Sequence, residues 1–131
     1  MKSLTSIIAL VLVLISCDYT NHKLILINQS SQPISYRESS DTILTTKNLA
    51  EYYLRIQIQP NDSVRAPILG KNGWDSLVVH SVNRKLNLFV FQVDTIKKYR
   101  DMQYVISKRL YRRYEYSLDY LNKHNWRVVI E

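Results

Sequence analysis

The run Leu86 to Val93 contains four residues, Leu88-Phe89-Val90-Phe91, that are apolar at every position. Successive side chains of a strand point to opposite faces, so such a run is stable only where both faces are covered. It is therefore expected at the centre of a sheet or sandwich. Ten tyrosines and only two glycines among 131 residues also favour a compact, strand-rich chain over a disordered one.

Other segments read as strands around that centre. Leu24-Ile25-Leu26-Ile27 is one, and Pro33 opens another over Ile34 to Arg37, with a turn at Asn28 to Gln32 that suggests a hairpin. Glu38 to Asn48 is polar and loop-like. Tyr52 to Gln59 alternates, Tyr52, Leu54, Ile56 and Ile58 against Tyr53, Arg55, Gln57 and Gln59, and predicts a half-buried strand ended by Pro60-Asn61-Asp62. Lys71-Asn72-Gly73 marks a turn, and Ser76 to Val82 reads as a further strand. Asp94 is placed as the N-cap of a short helix to about Arg100, Val105 to Tyr116 as extended chain, and Ser117 as the cap of a helix from Leu118 to about His124. Trp126 to Ile130 closes the chain as a strand.

The N-terminus carries a different signal. Met1-Lys2 precedes nine uninterrupted apolar residues, Ile7 to Ile15, which suits a signal peptide and is far short of the ~20 needed to span a bilayer. Leu14-Ile15-Ser16-Cys17 then matches a lipobox, in which the cysteine is lipidated and becomes the first residue after cleavage. Cys17 is the only cysteine, so no internal disulfide is possible, and acylation gives it a role. The expected organisation is a leader over 1–16, a lipidated Cys17 with a polar tether over 17–23, and one β-rich domain over 24–131.

The whole chain carries a formal charge of +7. The leader removes only Lys2, and the remaining excess lies in 97–113, where Lys97, Lys98, Arg100, Lys108, Arg109, Arg112 and Arg113 face a single acid, Asp101. Basic residues interleaved with tyrosines can bind nucleic acid, but an exported chain does not meet it. The alternatives are a solvated face with arginines lying over tyrosine rings, anionic head groups beside the anchor, or an acidic patch on another envelope protein.

Three pieces of the chain form a recognisable set. They are Ile58-Gln59-Pro60-Asn61-Asp62-Ser63 with Gly73-Trp74; Phe89-Val90-Phe91 leading to Asp94-Thr95-Ile96 and Tyr99; and the stretch Leu110 to Ile130 with Arg113-Tyr114, Ser117-Leu118, Asp119, Leu121 and Asn125-Trp126. Together they resemble a group of small Bacteroidota lipoproteins with no assigned function; the resemblance covers most of 58–131 and departs at the end, where Val129-Ile130-Glu131 stands instead of a Tyr-Pro pair. It implies a lipid-anchored envelope protein and carries no catalytic residues.

Four Asp-Ser or Asp-Thr pairs precede an aliphatic residue, at Thr42, Ser63, Ser76 and Thr95, which is similar to the O-glycosylation acceptor pattern of exported Bacteroidota proteins. The same pairs are also ordinary turn and cap chemistry. His22, His80 and His124 lack metal-ligand spacing and are read as structural. No Gly-x-Ser-x-Gly elbow, Gly-rich phosphate loop or His-Glu-x-x-His motif occurs, so neither cofactor, metal nor catalytic site is expected. Trp126 is placed in the core, and Trp74, after a glycine turn, is the indole expected to be exposed to stack on sugars.

Together these readings predict a mainly β, sandwich-like single domain with one or two short helices near the C-terminus. The expected role is a non-catalytic interaction or accessory subunit, held in the cell envelope by acyl chains on Cys17, with the outer membrane favoured over the inner. A glycan-binding accessory lipoprotein is the alternative.

Overall fold

The computed structural model describes residues 19–131; the leader and Cys17 lie outside the described residues. The first strand, β1, spans Thr20–Asn28 and buries Leu24, Leu26 and Asn28 on one side. It starts earlier than the tether expected over 17–23 allows. Polar Thr20 to Lys23 enter the strand because Asn21 works twice: its Oδ1 accepts from Lys23 N at 3.0 Å and its Nδ2 donates to Lys71 O at 2.7 Å. A bulge between Asn21 and Leu24 absorbs the change of register. His22 is exposed there.

The remaining strands are β2 (Ile34–Ser39), β3 (Ser63–Leu69), β4 (Lys85–Gln92), β5 (Arg112–Ser117) and β6 (Arg127–Ile130). They form two three-stranded sheets, ordered β3-β1-β6 and β2-β4-β5. β1 runs antiparallel to β3 and parallel to β6, whereas the second sheet is antiparallel throughout. The hairpin expected between β1 and β2 does not form, because the two strands belong to different sheets. Asn28 carries the crossing instead, its Nδ2 donating to Gln32 O at 2.8 Å and Ile58 O at 2.9 Å. β4 is central, as its composition requires.

Two apolar clusters explain that centrality. Leu86, Leu88 and Val90 of β4 join Ile34 and Tyr36 of β2 in one buried cluster with Leu24, Leu26, Ala66, Val128 and Ile130 of the other sheet. Phe89 and Phe91 point the opposite way, into a second cluster with Leu44, Ala50, Tyr53, Ile96, Met102 and Val105. Helices, not strands, cover that second side.

Five short helices occur among the described residues: α1 (Ala50–Arg55), α2 (Gly73–His80), α3 (Val93–Tyr99), α4 (Met102–Ser107) and α5 (Leu118–Lys123). They are spread through the chain and are not confined to its C-terminal part, so the fold is β-rich but mixed. The strand expected over Tyr52–Gln59 is α1 followed by an irregular segment that touches the sheet only at the Ile34–Ile58 bridge. Its apparent alternation fails because Tyr53, not Tyr52, is the buried ring, packed edge-on to Phe91 at 5.2 Å. Ser76–Val82 likewise lies mostly in α2, which buries Trp74 and Val78 one turn apart, and His80 ends that helix. The expected extended stretch Val105–Tyr116 starts as α4, capped by Asp101 accepting from Tyr104 N, and becomes extended only at Arg112.

α3 forms as expected, but its cap is Gln92, and Asp94 lies in the first turn, where its charge suits the helix dipole. α5 matches closely: Ser117 Oγ accepts from Tyr120 N at 3.1 Å, and Leu121 is buried. β3 is not among the strands that the sequence predicts. It is an edge strand containing Pro67, which has no N–H to offer an outer neighbour.

The sheets share their ends. Thr20 pairs with Leu69 at one end of β1, and Asn28 pairs with Ile130 at the other. In the second sheet, Val82 N donates to Ser40 O at 2.8 Å beside the Thr20 end, and Ser40 lines one surface cleft with Leu69. Arg112, at the start of β5, donates to Glu131 O at the Asn28 end. Nine residues of β1 separate the two ends by about 26 Å at ~3.3 Å per step.

Candidate anion-binding cleft

The helix-covered side of the second sheet is only partly closed. Phe89 and Phe91 lie under α1, α3 and α4, but the sheet continues past them to Asn87 and Lys85. At the boundary is a cleft of ≈ 570 Å³ lined by Thr42, Ile43, Leu44, Ile106, Ser107, Arg109, Tyr111 and Arg113. One wall is the loop after β2, held by the buried Leu44 side chain. The other is the turn from α4 into β5. Leu110 N donates to Val105 O at 2.9 Å and Arg109 N to Ile106 O at 3.0 Å, which ends α4 and puts Arg109 in a left-handed conformation, φ +52°. The Tyr111 ring is braced edge-on by Phe89 and Phe91, with centroids 5.3 and 5.8 Å away.

The two arginines are in different electrostatic states. Arg113 of β5 is paired with Phe89 of β4 and donates to Asn87 Oδ1 at 3.2 Å and to the Glu115 carboxylate at 2.6 Å. Glu115 also accepts from Lys85 Nζ at 3.3 Å and Asn83 Nδ2 at 3.2 Å. The Lys85 hydrogen bond, with smaller help from Arg113, holds the Glu115 carboxyl below the usual carboxylate range. Arg109 makes no ion pair among the described residues, and no carboxylate lines the cleft. Ser107 Oγ already donates to Tyr104 O, so Thr42 and Tyr111 supply the neutral hydroxyl donors. A planar guanidinium with hydroxyls around it and apolar Ile43, Leu44 and Ile106 at the rim suits a carboxylate, phosphate or sulfate group on a larger molecule.

A smaller hollow of ≈ 260 Å³ lies beyond Tyr111, lined by Val90, Gln92, Thr95, Leu110 and Arg112. Strand alternation sends Arg112 and Arg113 to opposite faces of β5. Arg112 therefore lies over Tyr114, 5.7 Å from its ring, and donates to the C-terminal residue.

The seven basic residues of 97–113 thus do not form one face. Lys97 and Lys98 end α3, Arg100 caps it and pairs with Glu51 at 3.5 Å, and Lys108 caps α4. Lys98 and Lys108 flank the neighbouring Tyr99 and Tyr104 rings, whose centroids are 4.9 Å apart. That surface has the solvated cation-over-tyrosine character considered from sequence. Arg109 and Arg113 alone meet across the larger cleft, together with a loop some 65 residues earlier in the chain, and no local pattern announces that meeting.

Trp74 is fully buried in the core cluster, with its Nε1 lacking a hydrogen-bond partner, so it is not an exposed sugar platform. α2 replaces the expected turn-and-strand and turns this indole inward. Trp126 is buried, as expected. Of the glycosylation candidates, Ser63 is exposed at the start of β3 and Thr42 is half-buried in a loop, whereas Ser76 lies on α2 and Thr95 is half-buried on α3. Asp41 and Asp62 accept from the Ile43 and Ser63 backbone N–H groups, the local turn role of such pairs.

Ser76 and His80 approach to 3.3 Å, but His80 Nδ1 also lies 2.9 Å from Ser76 O. A carbonyl can only accept, so the Nδ1 proton faces it and that nitrogen cannot act as a base toward the serine. His124 Nδ1 is held in the same way by Tyr120 O at 2.8 Å. The chain matches no protein-family profile, no curated protein and no solved structure.

Proposed function

We propose that this is a non-catalytic, lipid-anchored protein of the cell envelope, more consistent with the outer than the inner membrane, that docks an acidic group of a partner into the Arg109–Arg113 cleft. Its frame is a sandwich-like pair of sheets, with acyl chains on Cys17 as the anchor and no cofactor. The observation that carries the docking reading is the Arg109 guanidinium, without a carboxylate of its own, at a cleft that no acid lines.

The lining of the cleft favours a protein partner over the bilayer that holds the anchor. The cleft is a hollow of ≈ 570 Å³ with Ile43, Leu44 and Ile106 at its rim, which suits a side-chain carboxylate flanked by apolar groups more than a bare head group. An envelope protein with an exposed acidic segment fits better than anionic head groups at the anchor.

Poly-L-glutamate titrated onto the acylated protein in neutral detergent tests the charge chemistry. Arg109→Ser is expected to weaken binding at least five-fold and to flatten its salt dependence. Capture from gently solubilised native envelopes, with wild type and Arg109→Ser compared, then tests the partner. Equal poly-glutamate binding by the two proteins would refute the cleft as the docking site.

A further inference from the structure

The end of the domain opposite Arg112 has an unusual surface. Leu69, the last residue of β3, is 74% exposed, Val82 after α2 is 73% exposed, and Tyr19 before β1 is 58% exposed. They are brought together by backbone contacts: Thr20 pairs with Leu69, Gly70 N donates to Tyr19 O at 2.7 Å, and Val82 N donates to Ser40 O. Ser40 and Leu69 share a shallow cleft of ≈ 410 Å³ with Ile68 and Leu77. Large apolar side chains that protrude together from one end of a small domain mark a surface that is covered in use.

We infer that Tyr19, Leu69 and Val82 form a seat that dips into the surface of the bilayer. The inference rests on the reading of Cys17 as the lipidated residue. Chain length supplies the argument. Tyr19 is two residues from Cys17, at most about 7 Å of extended backbone, so acyl chains on Cys17 bring this end of the domain to the membrane and leave no spacer to lift it clear. A tyrosine is suited to that level, with its ring toward the acyl chains and its hydroxyl in the head groups.

The polar surroundings fit the same contact. Lys71, exposed in the Gly70–Asn72 turn, can extend its ammonium to phosphates while its stem covers apolar surface. Of the nearby carboxylates, Asp75 is paired with Lys23, and Asp41 accepts from Ile43 N. Seating this end holds β1 steeply to the membrane and directs the Arg112 end outward. The acyl chains and the seat form a two-part attachment, which fixes the orientation that a flexible tether would leave free.

Single cysteines at Leu69, Val82 and Val129 test the inference in the full-length chain processed and acylated in a lipoprotein-exporting host. Once Cys17 is acylated, the new thiol is the only one available for an environment-sensitive fluorophore. The protein is reconstituted into phosphatidylcholine vesicles containing nitroxide-labelled lipid. Val129, 39% exposed on β6 near the Arg112 end, is the reference.

Quenching at Leu69→Cys and Val82→Cys several-fold stronger than at Val129→Cys is the expected result. Equal or absent quenching at all three sites, in protein that floats with the vesicles and labels with palmitate, overturns the seat and leaves the anchor standing. A blue-shifted but unquenched fluorophore at Leu69 means a second copy covers the patch, which also overturns it. Protein that neither floats nor labels overturns the anchor and the seat with it. All three positions are exposed, so the substitutions leave the core intact.

Discussion

Gly73 stands first in α2, and its place there is set by a neighbour. A Cβ added at Gly73 would lie 2.7 Å from Ile68 Cγ2 and 3.3 Å from Ile68 Cγ1. Cγ2 is bonded directly to the Ile68 Cβ and moves only by rotating a β-branched side chain out of its preferred rotamer. The Gly73→Ala variant therefore combines two opposed terms. Alanine is better than glycine in a helix by up to ~1 kcal/mol, and less at a terminal position. Forcing an extra carbon against a packed neighbour costs ~1–3 kcal/mol. Packing wins, and the expected net loss is about 1 kcal/mol, or about 4 °C in Tm for a domain of this size.

The decisive measurement is a double-mutant cycle by urea denaturation. Ile68→Ala removes both Cγ atoms and leaves only the Ile68 Cβ, 3.5 Å away, an ordinary contact. In that background Gly73→Ala keeps only its helix-propensity gain and is expected to become neutral or stabilising. The coupling between the two sites should then be about 1–2 kcal/mol, within the range for residues in contact. A Gly73→Ala variant that is stabilising in the wild-type background, or that has the same effect in both, would refute the steric account.

Glu38 lies half-buried on β2, and desolvation raises its carboxyl pKa, with the nearby Arg37 opposing the rise. The folded state then binds more protons than the unfolded chain as pH rises from the ordinary carboxylate value to the raised one, so stability falls across that window and stays lower above it. Glu38→Gln should accordingly raise Tm at pH 7 and leave it unchanged near pH 4; a pH-independent gain would show that ionisation is not the cause. The α5 cap gives a paired test by chemical denaturation: Ser117→Ala should cost about 1 kcal/mol, and Asp94→Ala, which removes only a first-turn charge on α3, roughly half as much. Equal losses would return Asp94 to the capping role that the sequence suggests.

The sequence discloses those elements whose cause is local or whose composition is extreme. β4 was legible because no strand with Leu88, Phe89, Val90 and Phe91 can expose either face. α5 was legible because Ser117 caps it from within the sequence. α1, α2 and α4 look extended in sequence because each is only six to eight residues long, so two buried residues, three or four positions apart, are the whole helical signal. Tyr53, Trp74 and Val105 decide those segments by docking onto Phe91 or the shared core, and docking is a property of the fold. The Asn28 side chain, which joins Gln32 and Ile58 across the change of sheet, is equally invisible in a linear reading.

The basic segment gives a sharper lesson about sites, because its residues were found and its surface was not. Seven cations in seventeen positions form a single face only if one regular element carries them, and this stretch passes through the end of α3, all of α4, two left-handed residues and the start of β5. Each change of backbone redirects the next side chain: Arg100 toward Glu51, Arg112 over Tyr114, and Arg113 to Glu115. Local acids and rings thereby occupy much of the charge. Arg100 and Arg109 both leave a helix at positive φ, but Arg100 meets Glu51, whereas Arg109 comes out next to a loop anchored by Leu44 that brings no carboxylate. Arg109 is therefore distinguished by its place at a cleft together with its lack of an internal acid; Lys97, Lys98 and Lys108 also lack an ion pair among the described residues but line no such cleft. A run of positive charge in sequence is consequently an upper bound on a binding face, and the functional remainder is what local pairing leaves over.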